Sequence, residues 1–227
     1  MPETTPRLED TFIRGYRQLA LASPARGRDT ILRALDIALA ATFVLVSLPV
    51  ALVIAAVILA TSGRPVLYVG ERVGRGGRVF QMVKFRTLRP DAESRLGPYL
   101  GAELVARTEA EYAPLGRWLK ATQLDEIPQL WNVLRGDMSM VGPRPIRPIF
   151  FEELARELPA YWQRLVVRPG LTGLAQMRRE YETSMAEKLA HDVEWIADRS
   201  IRLYLRTVFA TGWRVLHQSV RALLGRT

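Results

Sequence analysis

The stretch IALAATFVLVSLPVALVIAAVILA, residues 37–60, contains no charged residue and is the first constraint on the fold. It is long enough to cross the ~30 Å hydrocarbon core of a bilayer as a helix. A single domain offers few places to bury a helix that is apolar on every face. The late start, the length and the neighbouring Asp36 argue against a cleaved signal peptide. The stretch therefore predicts a membrane helix.

Pro49 lies in the middle of this stretch, where it removes a backbone hydrogen bond and bends a helix. Ser47 is close enough in sequence to bond a carbonyl that the proline frees. Arginines flank the stretch on both sides, and positive residues favour the cytoplasmic side. We therefore expect a re-entrant helix-break-helix over residues 30–62, with both ends in the cytoplasm, in preference to a full span.

The remainder of the chain is expected to form two parts. Residues 1–29 are polar and predict a loose segment with a short amphipathic helix. Residues 63–227 predict a cytoplasmic domain. Within it, residues 65–88 alternate β-branched and aromatic side chains around Gly74, Gly76 and Gly77, which predicts a β-hairpin. The glycines could also cradle a phosphate, but their spacing and the lack of a following helix favour a turn.

The chain carries a formal net charge of +9 and contains no cysteine. Disulfides and thiolate metal sites are thereby excluded, and the two isolated histidines, His191 and His217, do not predict a zinc site. A basic balance suits nucleic acid, anionic lipid or a phosphorylated substrate. The apolar stretch and the missing aromatic-basic recognition pattern argue against nucleic acid.

The C-terminal residues 200–224 predict a basic amphipathic helix or helix pair. Its apolar side includes Leu203, Val208, Trp213 and Leu216. A helix of this kind suits the membrane interface, and it also suits a helix that packs on a protein core with a solvated basic face. The apolar stretch near the other end of the chain favours the membrane interface.

Asp125 and Glu126 form an adjacent acidic pair in the stretch TQLDEIPQLWNVLRGDMSMVGPRP, residues 122–145. Adjacent residues at a helix start point about 100° apart, so one carboxylate can face a reacting atom while the other binds a cation. An aspartate can attack phosphorus as a nucleophile, and Mg²⁺ takes one or two carboxylates together with substrate phosphates. Acids in the first turn of a helix also stabilise its dipole without any catalysis.

Phosphoryl transfer needs cations around the phosphoryl oxygens. The candidates in this sequence are Lys84, Arg86, Lys120, Arg135, Arg144, Arg147 and Arg168. Composition and spacing therefore describe a basic membrane protein that could handle phosphates, and they go no further.

Several ordered motifs resemble the bacterial sugar transferase family, the monotopic polyprenyl-phosphate phosphoglycosyl transferases. The resemblance runs from about residue 33 to residue 207. Besides the membrane segment with Asp36 and Pro49, it rests on GRPVLYVGERVG (63–74), FQMVKFRTL (80–88), LGRWLKATQLDEIPQLWNVLRGDMSMVGPRP (115–145), VRPGLTGLAQ (167–176) and HDVEWIADRS (191–200). Each motif is modest alone, but their order is specific.

The resemblance implies a mostly helical α/β catalytic domain of minimal form. This domain would lie on the cytoplasmic face of the inner membrane, held by a re-entrant helix and interfacial amphipathic helices. It implies transfer of a phospho-sugar from a UDP-sugar to polyprenyl (undecaprenyl) phosphate through an aspartyl phospho-sugar, with release of UMP. The product would be the polyprenyl-diphosphate-sugar that starts surface glycan synthesis.

The resemblance also assigns roles to residues. Asp125 would be the nucleophile and Glu126 a Mg²⁺ ligand, while Lys84, Lys120 and Arg144 would hold phosphate oxygens or the nucleotide. Asp192 matches an active-site acid, although a helix-starting residue explains it equally well.

Some positions depart from the family pattern. Leu48-Pro49 replaces Ser-Pro, Lys120 replaces an arginine, and Tyr204 replaces an aspartate. Met177-Arg178-Arg179-Glu180 stands where the family has Asn-Gly-Arg after Gln176. Glu180 falls where the family has an anion-contacting arginine, so either Arg178 or Arg179 supplies that contact or the sugar specificity differs.

The competing hypothesis is a membrane adaptor without catalysis, which docks on anionic lipid or a glycan-assembly complex. It predicts that the acidic pair is dispensable. The motifs leave open the sugar, the glycan pathway, the polyprenol length and assembly into a homo-oligomer.

Overall fold

A computed structural model describes residues 16, 17, 19–22, 26–96, 101–178 and 184–223. The described part is mostly helical, with two small two-stranded sheets, in agreement with the predicted mostly helical α/β class. Of the predicted N-terminal segment, the described residues 16–22 include helical positions, while residues 1–15, 18 and 23–25 lie outside the description.

Helix α1 spans Gly27–Ser62 and contains the apolar stretch. It is the one helix among the described residues that is long and apolar enough to cross a membrane, and the mean hydropathy over 18 of its residues is 2.9. The helix runs through Pro49 without interruption, so the expected break of the helix at this residue is not seen. The Ser47 hydroxyl donates to the Phe43 carbonyl (2.6 Å). The carbonyl that Pro49 frees four residues earlier belongs to Leu45, so the predicted repair by Ser47 is wrong.

One face of α1 packs on the rest of the protein near both of its ends. Towards the N-terminus, Leu32 and Ala40 are buried in the main core, with Val44 packed against it. Towards the C-terminus, Ile54 and Ile58 are buried in a second cluster with Phe85 and Leu119. The other face of the helix is exposed and apolar: Leu45, Val46, Leu48, Leu52 and Val53 are 73%, 71%, 48%, 62% and 64% exposed.

The predicted hairpin is present. Strands β1 (Leu67–Val73) and β2 (Val79–Phe85) pair antiparallel, with Tyr68 opposite Lys84. The glycines form the connection, as predicted. Gly76 and Gly77 adopt left-handed φ values of 65° and 72°, which glycine tolerates without steric cost.

Helices of varied length follow the hairpin in the described residues. They are α2 (Ala92–Leu96), α3 (Gly101–Ala110), α4 (Gly116–Thr122), α5 (Gln129–Arg135), α6 (Pro148–Glu157), α7 (Leu174–Met177), α8 (Met185–Asp198) and α9 (Ile201–Leu223). Two 3₁₀ segments, Leu124–Glu126 and Pro159–Val166, lie among them. The C-terminal basic segment is therefore one helix, and its exposed apolar residues Phe209, Trp213, Leu216 and Val220 follow helical spacing along one stripe.

Strands β3 (Ser139–Val141) and β4 (Gly170–Thr172) form a short parallel pair. Backbone contacts extend the pair on both sides, because Gly170 N donates to Pro143 O (2.9 Å) and Gly142 N donates to Thr172 O (2.8 Å). A Cβ atom on Gly170 would lie 2.0 Å from Gly142 N, so this approach requires glycine. The two turn motifs GPRP and RPGLTG thereby lie against each other.

Asp36 joins α1 to this sheet. Its Oδ1 accepts hydrogen bonds from the Ser139 hydroxyl, the Met140 amide and the Tyr204 hydroxyl, each at 2.8 Å. Asp36 is 2% exposed and Tyr204 is fully buried. The tyrosine that departs from the family pattern therefore supplies a buried hydrogen bond between α9 and α1.

Candidate active site

The acidic pair lies in the 3₁₀ segment between α4 and α5. Helix α4 ends because Gln123 adopts a left-handed conformation (φ 60°), and Pro128 precedes α5 as its N-cap residue. The helix expected to start at the acidic pair is thus split into a 3₁₀ turn and α5. This tight turn directs Asp125 into the protein, where it is 1% exposed.

Asp125 is a buried carboxylate with an unsatisfied oxygen. Its Oδ2 has no hydrogen-bond partner in the described part of the chain. Burial, and then the neighbouring Glu126, raise the pKa of Asp125, while Lys120, Lys84 and Arg144 oppose that rise. Because buried polar atoms are nearly always paired, this oxygen is a strong candidate for contact with a ligand.

Glu126 is held by Arg144. Arg144 Nη2 donates to Glu126 Oε1 at 2.8 Å. Burial raises the pKa of Glu126, but Arg144 outweighs it and holds the pKa below its usual value. Glu126 is therefore ionised at neutral pH, next to a carboxylate whose charge is disfavoured.

Lys84 and Lys120 complete the cationic side of the site. Lys84, near the end of β2, is half-buried and lies 5.2 Å from the centroid of the Tyr68 ring opposite it. Burial, and then Lys120, lower the pKa of Lys84 to about 8, although Asp125 and Glu126 act in the other direction. The structure thus brings together Asp125, Glu126, Lys84, Lys120 and Arg144.

Arg164 supports the loop that carries Arg144 through hydrogen bonds. Arg164 Nη2 donates to the Arg144 carbonyl (3.0 Å), and its Nη1 donates to the Tyr161 hydroxyl (2.6 Å). Arg164 Nε in turn bonds Asp192 Oδ2 at 2.7 Å. Arg164 and Asp192 are 8% and 3% exposed. Asp192 therefore acts on the site indirectly, by holding Arg164, which in turn holds the Arg144 backbone. Arg164 was not among the residues singled out from the sequence.

Asn132 is a second residue that the sequence did not single out. Its Oδ1 accepts from Val83 N (3.0 Å) and its Nδ2 donates to Gln81 O (2.7 Å). The side-chain amide occupies the free edge of β2 in the way a neighbouring strand would. Asn132 thus fixes the strand that carries Lys84 to the helix that follows Asp125. The only signal in the sequence is a polar residue within the apolar run of α5.

Two predicted phosphate-binding residues lie elsewhere. The Arg86 guanidinium donates to the carbonyls of Ser62, Gly63 and Arg64, at the C-terminal end of α1. Arg86 is 6% exposed, and these carbonyls account for its burial. Arg168 Nε donates to Gly136 O (2.9 Å), at the end of α5. Arg86 and Arg168 thus bond backbone carbonyls of other elements, and their predicted role in binding phosphate stays a prediction.

The remaining candidates are placed as follows. The Arg147 guanidinium lies 5.4 Å from the centroid of the Phe150 ring, at the start of α6. Arg135, named only as a cation, pairs with Asp137. Arg178 pairs with Glu194 on α8. Arg179 and Glu180 lie outside the described residues.

Glu126 borders an apolar groove of about 280 Å³. Phe43, Val46 and Ser47 of α1 line one side of it, and Val208, Thr211 and Val215 of α9 are among the residues on the other. The groove thus connects the middle of the apolar helix with the acidic pair.

The described residues contain no group of three or more His, Cys, Asp or Glu side chains that could hold a metal ion by themselves. The acidic pair still fits Mg²⁺ in the form in which that ion binds beside substrate phosphates, with one or two protein carboxylates. The unpaired Asp125 oxygen next to the ionised Glu126 is the observation that supports this fit.

Comparison with known proteins identifies similar sequences. A family model for the bacterial sugar transferases matches residues 27–218. The chain is 34% identical over 184 residues to the UDP-N-acetylgalactosamine-undecaprenyl-phosphate N-acetylgalactosaminephosphotransferase of Aeromonas hydrophila. This match covers 80% of this chain and 42% of that protein. It is 39% identical over 135 residues to a putative undecaprenyl-phosphate N-acetylgalactosaminyl 1-phosphate transferase of Bacillus subtilis, covering 60% of this chain and 73% of the relative.

A third relative carries a different sugar in its name. The chain is 38% identical over 187 residues to the UDP-glucose:undecaprenyl-phosphate glucose-1-phosphate transferase of Caulobacter vibrioides, covering 78% of this chain and 67% of that protein. The chain thus spans less than half of the Aeromonas protein and about two thirds or more of the other two.

Proposed function

The chain belongs to the bacterial sugar transferase family, and we propose on this premise that it transfers a sugar phosphate from a UDP-sugar to polyprenyl phosphate. In the first step, an oxygen of the Asp125 carboxylate bonds to the β-phosphorus of the donor. The bond from that phosphorus to the UMP oxygen breaks, and UMP leaves. In the second step, a polyprenyl phosphate oxygen attacks the same phosphorus, which releases the carboxylate and gives polyprenyl-diphosphate-sugar.

The unpaired buried oxygen of Asp125 is the observation that carries this proposal. A carboxylate with a structural role would be satisfied by hydrogen bonds. A nucleophile instead needs a free oxygen at the place where phosphorus arrives. The raised pKa of Asp125 fits an oxygen that has been removed from water and left without donors.

Lys84, Lys120 and Arg144 supply the positive charge that phosphoryl transfer requires. All three interact electrostatically with Asp125. A donor diphosphate that enters between them would favour the charged form of Lys84, whose pKa is about 8 before the donor binds. The cations would then hold the phosphoryl oxygens in line with the Asp125 carboxylate.

Mg²⁺ is part of the proposal, with Glu126 as its ligand from the protein. When bound, the ion would neutralise charge on the donor phosphates. Glu126 is ionised and kept in place by Arg144, so it is ready to bind a cation without a conformational change.

The groove beside Glu126 suits the lipid acceptor. An isoprenoid chain is apolar, and its phosphate would then lie at the end of the groove next to the acidic pair. The packing of α1 supports the accompanying membrane arrangement, in which the helix dips into the cytoplasmic leaflet of the inner membrane. The protein contacts α1 from Leu32 to Val44 and from Ala51 to Ile58, and a full span would place much of this contact surface inside the bilayer.

The test is release of UMP from a panel of UDP-sugars, with polyprenyl phosphate and Mg²⁺ present. Asp125→Asn should abolish release and leave the thermal unfolding temperature and membrane binding close to those of the wild type. Asp91→Asn, at an exposed position outside the site, is the matched control and should release UMP normally. Intact mass after donor alone should show a sugar-phosphate adduct that Asp125→Asn lacks. Normal turnover by Asp125→Asn would refute the proposed nucleophile, and a wild type that releases no UMP from any donor would favour a membrane adaptor without catalysis.

A further inference from the structure

A second cavity lies on the opposite face of β3 from the groove. Side chains alternate along a strand, and here Ser139 and Val141 line the second cavity while Met140 lines the groove. The cavity has a volume of about 50 Å³. Since one water needs roughly 10–15 Å³ of such space, the cavity has room for a tetrahedral oxyanion or a few waters.

Positive charge exceeds negative charge around this cavity. The charged side chains that line it are Arg33, Arg75, Arg168, Arg199, Asp29 and Asp36. Arg199 pairs with Asp29 at 2.7 Å. Asp36 already accepts three hydrogen bonds and lies 3.9 Å from Arg33. Both carboxylates are therefore engaged in closer contacts. Arg75 and Arg168 form no ion pair of their own in the described part of the chain, although Asp29 attracts both arginines from farther away.

One hydrogen bond holds the Arg168 side chain in place and leaves most of its donors available. Within the described residues its Nε donates to Gly136 O, which leaves its two terminal amino groups for another acceptor. Burial, and then the nearby Arg33 and Arg75, lower the pKa of Arg168. Confined guanidinium groups repel one another, and an anion that binds between them removes this cost. Phosphate is a tetrahedral oxyanion that the planar donor pair of arginine binds with two parallel hydrogen bonds.

The position of the cavity indicates where such a phosphate would come from. Asp29, Leu32, Arg33 and Asp36 of α1 line it, and these residues directly precede the uncharged stretch that begins at Ile37. If α1 dips into the membrane as proposed above, this part of the helix lies at the level of the lipid headgroups.

We propose that the cavity beside Arg75 and Arg168 binds a phosphate group at the membrane surface, as a site separate from the acidic pair. Arg33 lines the cavity and adds positive charge, but its two terminal amino groups already donate to Val133 O and Leu134 O. The phosphate could belong to an anionic phospholipid or be free in solution. The chemistry of recognition is the same, and the two sources can be separated by experiment.

The test compares the wild type with Arg75→Gln and Arg168→Gln. Arg78→Gln is the matched control, because Arg78 is exposed in the same hairpin turn but does not line the cavity. Each variant removes one positive charge. Thermal unfolding is measured in detergent with inorganic phosphate, and on phosphatidylcholine vesicles with and without one fifth phosphatidylglycerol.

The expected result is a ligand-dependent rise in Tm for the wild type and Arg78→Gln that is lost in Arg75→Gln and Arg168→Gln. A rise with phosphatidylglycerol alone identifies a lipid headgroup, and a rise with inorganic phosphate identifies a free anion. An equal response of all four proteins, or no response, would overturn the proposal. Arg75 is exposed, so its variant should fold even if Arg168→Gln does not. Neither arm uses a UDP-sugar, so the result does not depend on the proposed catalysis.

Discussion

Lys84 is a residue whose charge opposes folding. Its pKa in the folded protein is about 8, compared with 10.5 for an ordinary lysine. Folding therefore favours the neutral form. Below pH 8 the protein must keep a charged ammonium group half-buried, which destabilises it. This cost fades as the pH rises from about 8 to 10.5, where the group becomes neutral in the unfolded chain as well.

Lys84→Met should consequently stabilise the protein while it abolishes UMP release. The free energy of unfolding at pH 7 is expected to rise by on the order of 2–3 kcal/mol, from ~1.4 kcal/mol per pKa unit, and the gain should vanish near pH 10.5. Urea unfolding at several pH values measures it. Lys120→Met, at an exposed neighbour, should change stability little. A gain that does not vary with pH would show that the ammonium charge is not its cause.

The pH dependence of the donor step should report two groups. Asp125 must be ionised to attack, and its raised pKa places the acid limb of kcat/KM above the ordinary aspartate value of 3.8. Lys84 must be charged to hold phosphate, which places the alkaline limb at about 8. Lys84→Arg should keep the acid limb and move the alkaline limb upward by more than one pH unit. If the alkaline limb stays where it is, another group controls it.

The pair formed by Asp192 and Arg164 distinguishes support from catalysis. Asp192→Asn should weaken the hold on the Arg144 loop, so we expect kcat/KM to fall at least tenfold. Stability should fall by about 3 kcal/mol, since breaking a buried ion pair leaves a charge uncompensated. Both limbs of the pH profile should stay in place, because in this geometry Asp192 moves no proton. Loss of one limb in Asp192→Asn would instead identify Asp192 as an active-site acid.

At the scale of elements, Asn132 couples α5 to β2. Asn132→Leu leaves Val83 N without its partner, while Gln81 O keeps a 3.4 Å hydrogen bond from Arg135. An unpaired backbone group costs roughly 1–3 kcal/mol, so we expect a loss of about 1–3 kcal/mol in urea unfolding, together with a higher donor KM because Lys84 is less well fixed. Asn132→Asp keeps the acceptor for Val83 N and should lose less. If Asn132→Leu binds donor as well as the wild type does, the strand is held by other contacts.

The elements that the sequence predicted correctly are those whose pattern is local. The alternation around Gly76 defines the hairpin, and the length of the apolar stretch defines α1. The parallel pair of β3 and β4 was missed because each strand has only three residues and the pairing joins Ser139 to Gly170, far apart in the chain.

Side-chain positions were missed for a similar reason. Lys84 and Arg86 are two residues apart and would share one face of a strand, but β2 ends at Phe85 and Arg86 turns to the end of α1. The structure places Lys84, Lys120 and Arg144 around the acidic pair. The family resemblance assigns these three cations to phosphate, and that role stays a prediction. Arg164 and Asn132 act on backbone atoms, and no sequence pattern marks such contacts.

At the scale of the whole molecule, the way α1 lies along the protein limits how it can meet a membrane. Val44 packs on the main core and Ala51 on the second cluster. These two residues are seven positions apart, which corresponds to only ~10 Å of helix, compared with the ~30 Å of a hydrocarbon core. A spanning helix would therefore draw the catalytic domain into the bilayer. A helix that dips keeps the same contacts. The exposed apolar face of α1 and the apolar stripe on α9 then face the lipid.

This arrangement can be tested with single cysteines, because the chain has none of its own. Thr30→Cys and Thr61→Cys place thiols at exposed positions near the two ends of α1. If the helix dips, a membrane-impermeant maleimide should label both in inside-out vesicles and neither in spheroplasts. Ser94→Cys, at an exposed position in α2, is the control that marks the cytoplasmic side. A spanning helix would instead expose one end to the reagent in spheroplasts. If Thr61→Cys is labelled there while Ser94→Cys is protected, the contacts of Ile54 and Ile58 with Phe85 must break in the membrane.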